Sequence, residues 1–244
     1  MPPLVYETVA WLRFYSRLPV PQLPGETDAG AAPDPARTAY AAPIAAALIG
    51  AAGGLAVVIA AALGATDFVA AALCVLALMI VTGGQAESAL AAAADRRTTP
   101  QIVAYGIIAV ALVIMLRAGA IDALLIYGVW KAAFTIVGAF AVSRAAALAF
   151  SLMRPAPESA ASATGGNALQ WLAIVGLAIG ITAVLPFHGL GAAIAGIAAA
   201  AGAVALVSAF LPRNAGAADR EFTAVAELLS EIAFLIAVLA FASD

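Results

Sequence analysis

Long segments with almost no charged side chains limit the fold of this chain more than any other feature. A membrane-spanning helix needs about 20 consecutive apolar residues. Such segments lie at 42–63, 68–83, 102–116, 120–142, 169–185, 189–211 and 223–242. The chain is 65% hydrophobic and 10% charged, so it has too little polar surface to cover a soluble globule. The sequence therefore predicts an all-α, polytopic transmembrane bundle of about six to eight helices in a single domain over 1–244.

Charge and cysteine content exclude several classes of protein. The net charge of −3 and the pI near 5.1 leave no basic surface for nucleic acid. The one cysteine, Cys74, cannot form an intrachain disulfide, and one Cys with one His cannot build a zinc site. Glycine and alanine recur in the apolar segments, as in “LIGAAGGLAVVIAAALG”, which favours close contacts between helices in a lipid bilayer.

The N-terminal region has a different pattern. Residues 4–18, “LVYETVAWLRFYSRL”, repeat apolar residues at helical spacing with aromatic rings close by. This is typical of an amphipathic helix in the membrane interface. An amphipathic core helix has the same pattern, but the chain offers little soluble core, so we favour an interfacial helix over 1–18. Prolines, glycines and acidic residues predict a loop over 19–38, which leaves 39–244 for the transmembrane bundle.

Positive residues predict the orientation of the chain. If the N-terminus is cytoplasmic, nine of the eleven Lys and Arg residues lie on the cytoplasmic side of a bacterial inner membrane. Those nine are Arg13, Arg17, Arg37, Arg96, Arg97, Arg144, Arg154, Arg213 and Arg220. Arg117 then lies in an outer loop and Lys131 within a span. The connections 84–101, 143–168 and 212–222 share the cytoplasmic face, where we expect any functional site.

Carboxylates inside or near a bilayer are costly and usually functional. The candidates are Glu87, Asp95, Glu158, Asp219, Glu221, Glu227 and Glu231. Asp122 and Lys131 fall in one predicted span and point to opposite sides of a helix, so Lys131 is expected to pair with a carboxylate on another helix. His188 lies in a short turn on the side opposite the Arg-rich face, where we expect an ordinary interfacial residue.

The stretch “TGGQAESALAAAAD” (82–95) ends the second apolar segment. Gly83 and Gly84 predict a break or a close packing point, because glycine inside a helix costs about 1 kcal/mol relative to alanine. On a helix, Ser88 and Asp95 share a face, and Glu87 lies about 100° from Ser88. Because Mg²⁺ takes one or two carboxylates with water and substrate phosphate oxygens, Asp95 alone makes a sparse metal site.

Arg96 and Arg97 follow this stretch directly. Their guanidinium groups are suited to holding a phosphate. They are equally explained as charges that set the membrane topology, and that is the simpler interpretation.

Several segments match motif positions of one family. They are “FYSRLPVP” (14–21), “YAAPIAAALIG” (40–50), “TGGQAESALAAAAD” (82–95), “VSRAAALAF” (142–150) and the C-terminal “RNAGAADREFTAVAELLSEIAFLIA”. Over most of the chain they resemble cobalamin synthase, also called adenosylcobinamide-GDP ribazoletransferase. The resemblance implies a membrane enzyme of late cobalamin biosynthesis. Its reaction joins α-ribazole, or its 5′-phosphate, to adenosylcobinamide-GDP with release of GMP.

The resemblance also implies a cofactor, partners and a set of site residues. Mg²⁺ is the implied cofactor, and the corrinoid and ribazole substrates are the implied ligands, with a homo-oligomer or other cobalamin-assembly membrane proteins as further partners. The implied metal ligands are Asp95, Glu87, Asp219 and Glu221. The implied substrate contacts are Gly83, Gly84, Ser88, Arg96, Arg97, Ser143 and Arg144.

The chain departs from the family motif at the positions that hold charge. Ala86 stands where the family has His, and Ser88 and Ala92 stand where it has Asp. Loss of a single electrostatic group in an active site costs about 10²–10³-fold in rate, so these changes predict weak Mg²⁺ binding and reduced or lost catalysis. Two alternatives stay open: a divergent transferase with replacement ligands, and a non-catalytic membrane partner or corrinoid-binding protein on the same scaffold.

Overall fold

The computed structural model describes residues 3–26, 28, 30–95, 104–152, 166–210 and 219–242. Within these ranges the regular structure is helical, which confirms the predicted all-α class. The helices are α1 (Pro3–Tyr15), α2 (Pro35–Thr38), a 3₁₀ helix (Ala39–Ala41), α3 (Ala42–Ala62), α4 (Asp67–Thr82), α5 (Gln85–Asp95), α6 (Ala104–Leu125), α7 (Val129–Leu152), α8 (Gly166–Phe210) and α9 (Asp219–Phe241).

The long helices form a multi-pass membrane bundle. In the described part of the chain, five helical stretches are long and apolar enough to cross a bilayer, and the bent pair α4–α5 makes a sixth if it counts as one span. Helix α8 is broken at Gly189, where φ is 81° and ψ is 172°. Its two halves correspond to the predicted spans 169–185 and 189–211, so the sequence placed this turn correctly.

The boundary between the third and fourth predicted spans was wrong. The chain turns at 126–128, with Gly128 at a φ of 126°, and not at 117–119. Arg117 therefore lies inside α6, where it is 2% exposed, and not in an outer loop. Asp122 on α6 and Lys131 on α7 consequently lie on different helices. Arg117 is tolerated inside α6 because carboxylates from other helices pair with it.

The predicted loop over 19–38 is also shorter than expected. Residues 35–38 form the short helix α2, and the Asp34 side chain accepts a hydrogen bond of 2.9 Å from the N–H of Ala36 at its N-terminus. Pro35 is the first residue of this helix, where its missing N–H and fixed φ are no disadvantage. An Asp–Pro pair thus starts a helix here, although a proline-rich sequence favours a loop.

Helix α7 lies at the centre of the bundle and packs against α3, α8 and α9. Its contact with α3 depends on small residues. A Cβ added at Gly50 would lie 2.9 Å from Cβ of Phe140, and one at Gly54 would lie 3.0 Å from the Ala133 carbonyl oxygen. Because lipid removes the usual hydrophobic drive between helices, close backbone approach of this kind stabilises the bundle.

Large apolar side chains cover the outside of the bundle. The most exposed include Leu63, Ile80, Ile107, Met115 and Ile126. A soluble monomer rarely shows a contiguous apolar surface of this extent, whereas a bilayer requires it. Ile107 and Met115 lie on α6, which also carries the buried Arg117 on its inner side.

Candidate functional site

The chain bends sharply where the predicted motif begins. Helix α4 ends at Gly83, which has a left-handed φ of 68°, and Gly84 follows with a φ of 62°. The N–H of Gly84 donates to the Met79 carbonyl oxygen at 2.9 Å, which closes the end of α4. Helix α5 then leaves at 88° to α4. The predicted break at Gly83–Gly84 is confirmed, and it sets the direction of α5.

The segment that follows α1 lies against this bend. The backbone N–H of Arg17 donates to the Val81 carbonyl oxygen at 2.7 Å. A Cβ added at Gly83 would lie 2.6 Å from Cγ of Arg17. The absence of a side chain at Gly83 is therefore what admits the Arg17 side chain, and two of the recognised motifs are in direct contact.

Loop residues 16–26 are held in place by Arg13 of α1. Its Nε donates to the Val20 carbonyl oxygen at 3.2 Å, and its Nη1 donates to Oε1 of Glu26 at 2.6 Å. Oε2 of Glu26 accepts from the N–H of Leu23 at 2.9 Å. The hydrogen bond from Arg13, with that from Leu23, lowers the pKa of Glu26 below its ordinary value. This ion pair fixes the loop that carries Arg17.

Helix α5 is joined to two other helices through Arg117. Nη1 of Arg117 donates to Oε1 of Glu87 at 2.7 Å, and Nε of Arg117 lies 2.9 Å from Oε1 of Glu231 on α9. All three residues are buried. A guanidinium between two carboxylates offsets much of the cost of burying each charge. The result is a fixed position for α5 against α6 and α9.

A second buried ion pair lies beside the first. Arg144 of α7 pairs with Glu227, one helical turn before Glu231 on α9. The Arg144 guanidinium lies 5.3 Å from the ring centre of Tyr15 and 5.1 Å from that of Phe140. Such cation–π contacts are favourable when the cation is desolvated. Arg144 therefore links the end of α1 to α7 and α9.

The recognised motifs thus meet in space although they are far apart in sequence. The “FYSRLPVP” segment contacts the Gly83 bend through Arg17 and contacts the “VSRAAALAF” segment through Tyr15. The latter reaches the C-terminal motif through Arg144 and Glu227. A set of separated motifs that converges at one end of a bundle indicates one functional site.

The predicted substrate residues lie in two environments. Ser88 is exposed on α5, and its hydroxyl donates to the Gln85 carbonyl oxygen at 2.9 Å. Ser143 and Arg144 are buried, and the Ser143 hydroxyl donates to the Phe140 carbonyl oxygen at 3.1 Å. Arg96 and Arg97 lie outside the described residues. Among the described residues at the bend, Arg17, Gln85 and Ser88 have exposed side chains.

Two of the predicted metal ligands, Glu87 and Asp95, have other partners and lie at opposite ends of α5. Oε1 of Glu87 is occupied by Arg117, and Oδ1 of Asp95 accepts from the N–H of Gly106 at 2.8 Å. Glu87 and Asp95 are also separated by about 12 Å along α5, at 1.5 Å per residue, which is too far for one Mg²⁺ with ligands near 2 Å. Glu221 is half-buried at the start of α9. The described part of the chain does not include Glu158 or the side chain of Asp219.

Among the residues that the structure places, no three His, Cys, Asp or Glu side chains are grouped to hold a metal ion. The described carboxylates therefore do not fit a shared, protein-held Mg²⁺. At the positions where the family motif has His or Asp, this chain has residues that do not bind a metal ion as anions. Ala86, for example, packs in an apolar cluster with Val113, Leu228 and Ile232. The groups at the bend that suit phosphate oxygens are a cation and a hydroxyl.

Sequence reasoning missed the role of Arg117. Its charge suggested a loop, whereas the structure buries it between Glu87 and Glu231. No described carboxylate forms the expected ion pair with Lys131, because the ion pairs between described residues involve Arg13, Arg117 and Arg144. The sequence did contain one signal for these ion pairs. Glu227 and Glu231 are four residues apart on an apolar helix, so both lie on one face, and cationic partners are expected on the helices that pack against that face.

Comparisons with known proteins agree with the convergence of the motifs. The sequence model of the cobalamin-5-phosphate synthase family matches residues 7–240. An adenosylcobinamide-GDP ribazoletransferase of Azorhizobium caulinodans is 36% identical over 251 residues, with 96% of this chain and 95% of that protein covered. A protein of the same name from Xanthobacter autotrophicus is 35% identical over 134 residues, about half of each chain. No solved structure matches. The resemblance is confirmed, and the chain belongs to the cobalamin-5-phosphate synthase family.

Proposed function

We propose that this protein is an adenosylcobinamide-GDP ribazoletransferase. It joins α-ribazole, or its 5′-phosphate, to adenosylcobinamide-GDP and releases GMP. The observation that carries the proposal is the meeting of the family motifs at the α4–α5 bend, through Arg17, Gly83, Tyr15 and Arg144. The near full-length similarity to a protein of that name supports it.

The reaction is a phosphoryl transfer. A ribose hydroxyl oxygen of the ribazole attacks the phosphorus next to the cobinamide, the bond from that phosphorus to GMP breaks, and the hydroxyl proton leaves. Such a step needs little covalent chemistry from the protein and depends on positioning and on offsetting phosphate charge. Arg17 and Ser88 face solvent at the bend. Arg17 supplies a positive charge and N–H donors for phosphate oxygens, and Ser88 supplies a hydroxyl donor once its O–H turns from the Gln85 carbonyl oxygen toward the substrate.

Mg²⁺ is implied by the family, and the described carboxylates do not fit a site that holds it without substrate. A weakly bound Mg²⁺ with Asp95 as its protein ligand stays a prediction. Asp95 has a role without the metal, because it accepts a hydrogen bond from the first turn of α6 and so joins α5 to α6.

We further propose that the chain lies in the bacterial inner membrane with its N-terminus cytoplasmic. The bend, the loop 16–26 and the ion pair of Arg144 then face the cytoplasmic side, where water-soluble ribazole is available. This orientation follows the excess of positive residues on that side. Contact with a second copy or with other cobalamin-assembly membrane proteins stays a prediction.

The second candidate function is a non-catalytic corrinoid-binding membrane protein. The observation in its favour is the replacement of motif residues by Ala86, Ser88 and Ala92. Restoring two acids tests the choice, and Ala86 is left unchanged because it is packed in the core. If the wild-type protein is a transferase, it releases GMP before any change. If only Ser88→Asp with Ala92→Asp releases GMP in the presence of Mg²⁺, the wild-type protein is a binding protein that has lost its ligands.

A further inference from the structure

Arg17 is anchored at the α4–α5 bend in two independent ways. Its backbone N–H donates to the Val81 carbonyl oxygen at 2.7 Å. Its side chain passes over Gly83, where an added Cβ would lie 2.6 Å from Cγ and 2.7 Å from Nε of Arg17. Both the backbone and the base of the side chain are therefore fixed relative to the motif glycines.

The guanidinium of Arg17 is exposed, and no described residue forms an ion pair or a side-chain hydrogen bond with it. Three other arginines behave differently. Arg13 is engaged by Glu26 and two carbonyl oxygens, Arg117 by two glutamates, and Arg144 by Glu227. An arginine that is fixed in place keeps five N–H donors in a planar fork, which matches phosphate oxygens in pairs.

Space for a ligand lies beside this side chain. A Cβ added at Gly84 would meet no atom within 4 Å, so the bend is open at the residue next to the one that Arg17 covers. The hydroxyl of Ser88 is exposed one turn further along α5. A cation, an open space and an exposed hydroxyl group, which donates to the Gln85 carbonyl oxygen in this structure, thus occur together.

We propose that Arg17 binds the diphosphate of the corrinoid nucleotide substrate. The assignment rests on the proposed function, which supplies a substrate with two linked phosphates. Glu87, the described carboxylate nearest the bend on α5, is paired with Arg117 and does not compete for the Arg17 guanidinium.

The test measures binding and does not require turnover. Purified full-length protein in lipid nanodiscs is titrated with adenosylcobinamide-GDP and, separately, with adenosylcobinamide, which has no phosphate. Arg17→Gln should weaken binding of adenosylcobinamide-GDP about 10- to 100-fold, the range that a hydrogen bond between charged groups supports, and should leave binding of adenosylcobinamide unchanged. Arg37→Gln, which removes another exposed arginine, should leave both affinities unchanged.

Two glycine variants separate the effect of Arg17 from backbone strain. Gly83 and Gly84 both have a positive φ, so alanine is strained at each position. Only the alanine at position 83 would displace Arg17. Gly83→Ala should therefore reproduce the loss seen with Arg17→Gln and add little to it in the double variant, whereas Gly84→Ala should bind adenosylcobinamide-GDP more tightly than Gly83→Ala.

Three results would overturn the assignment. They are wild-type affinity of Arg17→Gln for adenosylcobinamide-GDP, an equal loss for adenosylcobinamide, and failure of the wild-type protein to bind adenosylcobinamide-GDP. The role of Arg17 in binding and the transferase activity can fail independently of each other. Phosphate-dependent binding through Arg17 without GMP release would support the role of Arg17 and reject the transferase activity. GMP release by the wild-type protein, with unchanged binding in Arg17→Gln, would support the transferase activity and reject the role of Arg17.

Discussion

Arg117 of α6 and Glu231 of α9 form a buried ion pair, with 2.9 Å between Nε and Oε1 and both side chains 2% exposed. Glu87 of α5 shares the same guanidinium. Charges in a bundle interior are costly unless they are paired, so each member of this group depends on the others. The group holds α5 in the direction set by the glycine bend, and this keeps Ser88 and the bend near Arg17.

Arg117→Ala should destabilise the protein strongly. It leaves Glu87 and Glu231 buried without their cation, and loss of one partner of a buried pair costs about 3–5 kcal/mol. Thermal and denaturant unfolding of the detergent-solubilised protein measure the change. Lys131→Ala is the control, because Lys131 is half-buried and takes part in no ion pair within the described residues; it should change stability by less than about 1 kcal/mol.

Replacing all three charged residues tests whether the loss of stability in Arg117→Ala comes from unpaired charge. Arg117→Leu with Glu87→Leu and Glu231→Leu removes the charges together, and such replacements are often neutral or stabilising. The triple variant should therefore be more stable than Arg117→Ala. Equal stability of these two variants would show that the loss in Arg117→Ala comes from packing and not from unpaired charge.

Gly50→Ala should weaken the contact between α3 and α7. The new Cβ would lie 2.9 Å from Cβ of Phe140 and 3.0 Å from the Val137 Cα, and overpacking costs about 1–3 kcal/mol. Gly202→Ala on α8 is the matched control, because an added Cβ there meets nothing within 4 Å. Alanine is the better helix former, so Gly202→Ala should stabilise by up to about 1 kcal/mol. Opposite signs in thermal unfolding are the expected result.

Acidification should release the loop at residues 16–26. Because Arg13 lowers the pKa of Glu26 below its ordinary value of 4.5, the stabilisation from this pair is present above about pH 4.5 and is lost as the pH falls through the folded-state pKa. Limited proteolysis of the loop should accelerate in that acidic range. Glu26→Gln should show fast cleavage already at neutral pH, and a wild-type cleavage rate in this variant would contradict the role of the ion pair.

Bends and breaks in the helices could be predicted from the sequence, because they depend on residues that are neighbours in the chain. Two adjacent glycines at the end of an apolar segment predicted the bend between α4 and α5 correctly. The short turn predicted at His188, between two apolar segments, corresponds to the break at Gly189 within α8. The turn at Gly128 was missed because Arg117 offered a more obvious interruption of the apolar run.

Pairing between distant residues could not be read from one sequence. Glu87 and Arg117 are 30 positions apart, and Glu231 is further along the chain. Neighbouring residues do not indicate which carboxylate pairs with which cation. Arg117 was therefore predicted in a loop, and Lys131 was predicted to pair with a carboxylate. The contact of Arg17 with Gly83 is likewise a consequence of tertiary packing. The proposed metal and substrate roles of the site residues stay predictions.

Membrane orientation is testable with single cysteines in a Cys74→Ala background. Gln22→Cys in the exposed N-terminal loop should be protected from a membrane-impermeant maleimide in intact cells, and Ile126→Cys in the turn between α6 and α7 should be labelled. The reason is the excess of positive residues on the side of the N-terminal loop. Labelling of both positions, or of Gln22→Cys alone, would contradict the proposed orientation.

The most direct test of transferase activity is to measure formation of the cobamide. Wild-type protein in nanodiscs is incubated with adenosylcobinamide-GDP, α-ribazole and Mg²⁺, and the corrinoid product and GMP are quantified by mass spectrometry against nanodiscs without protein. If the protein is a transferase, the joined product and GMP should appear in a one-to-one ratio, and both should depend on α-ribazole. Bound adenosylcobinamide-GDP with neither product nor GMP would contradict the transferase and identify a corrinoid-binding protein.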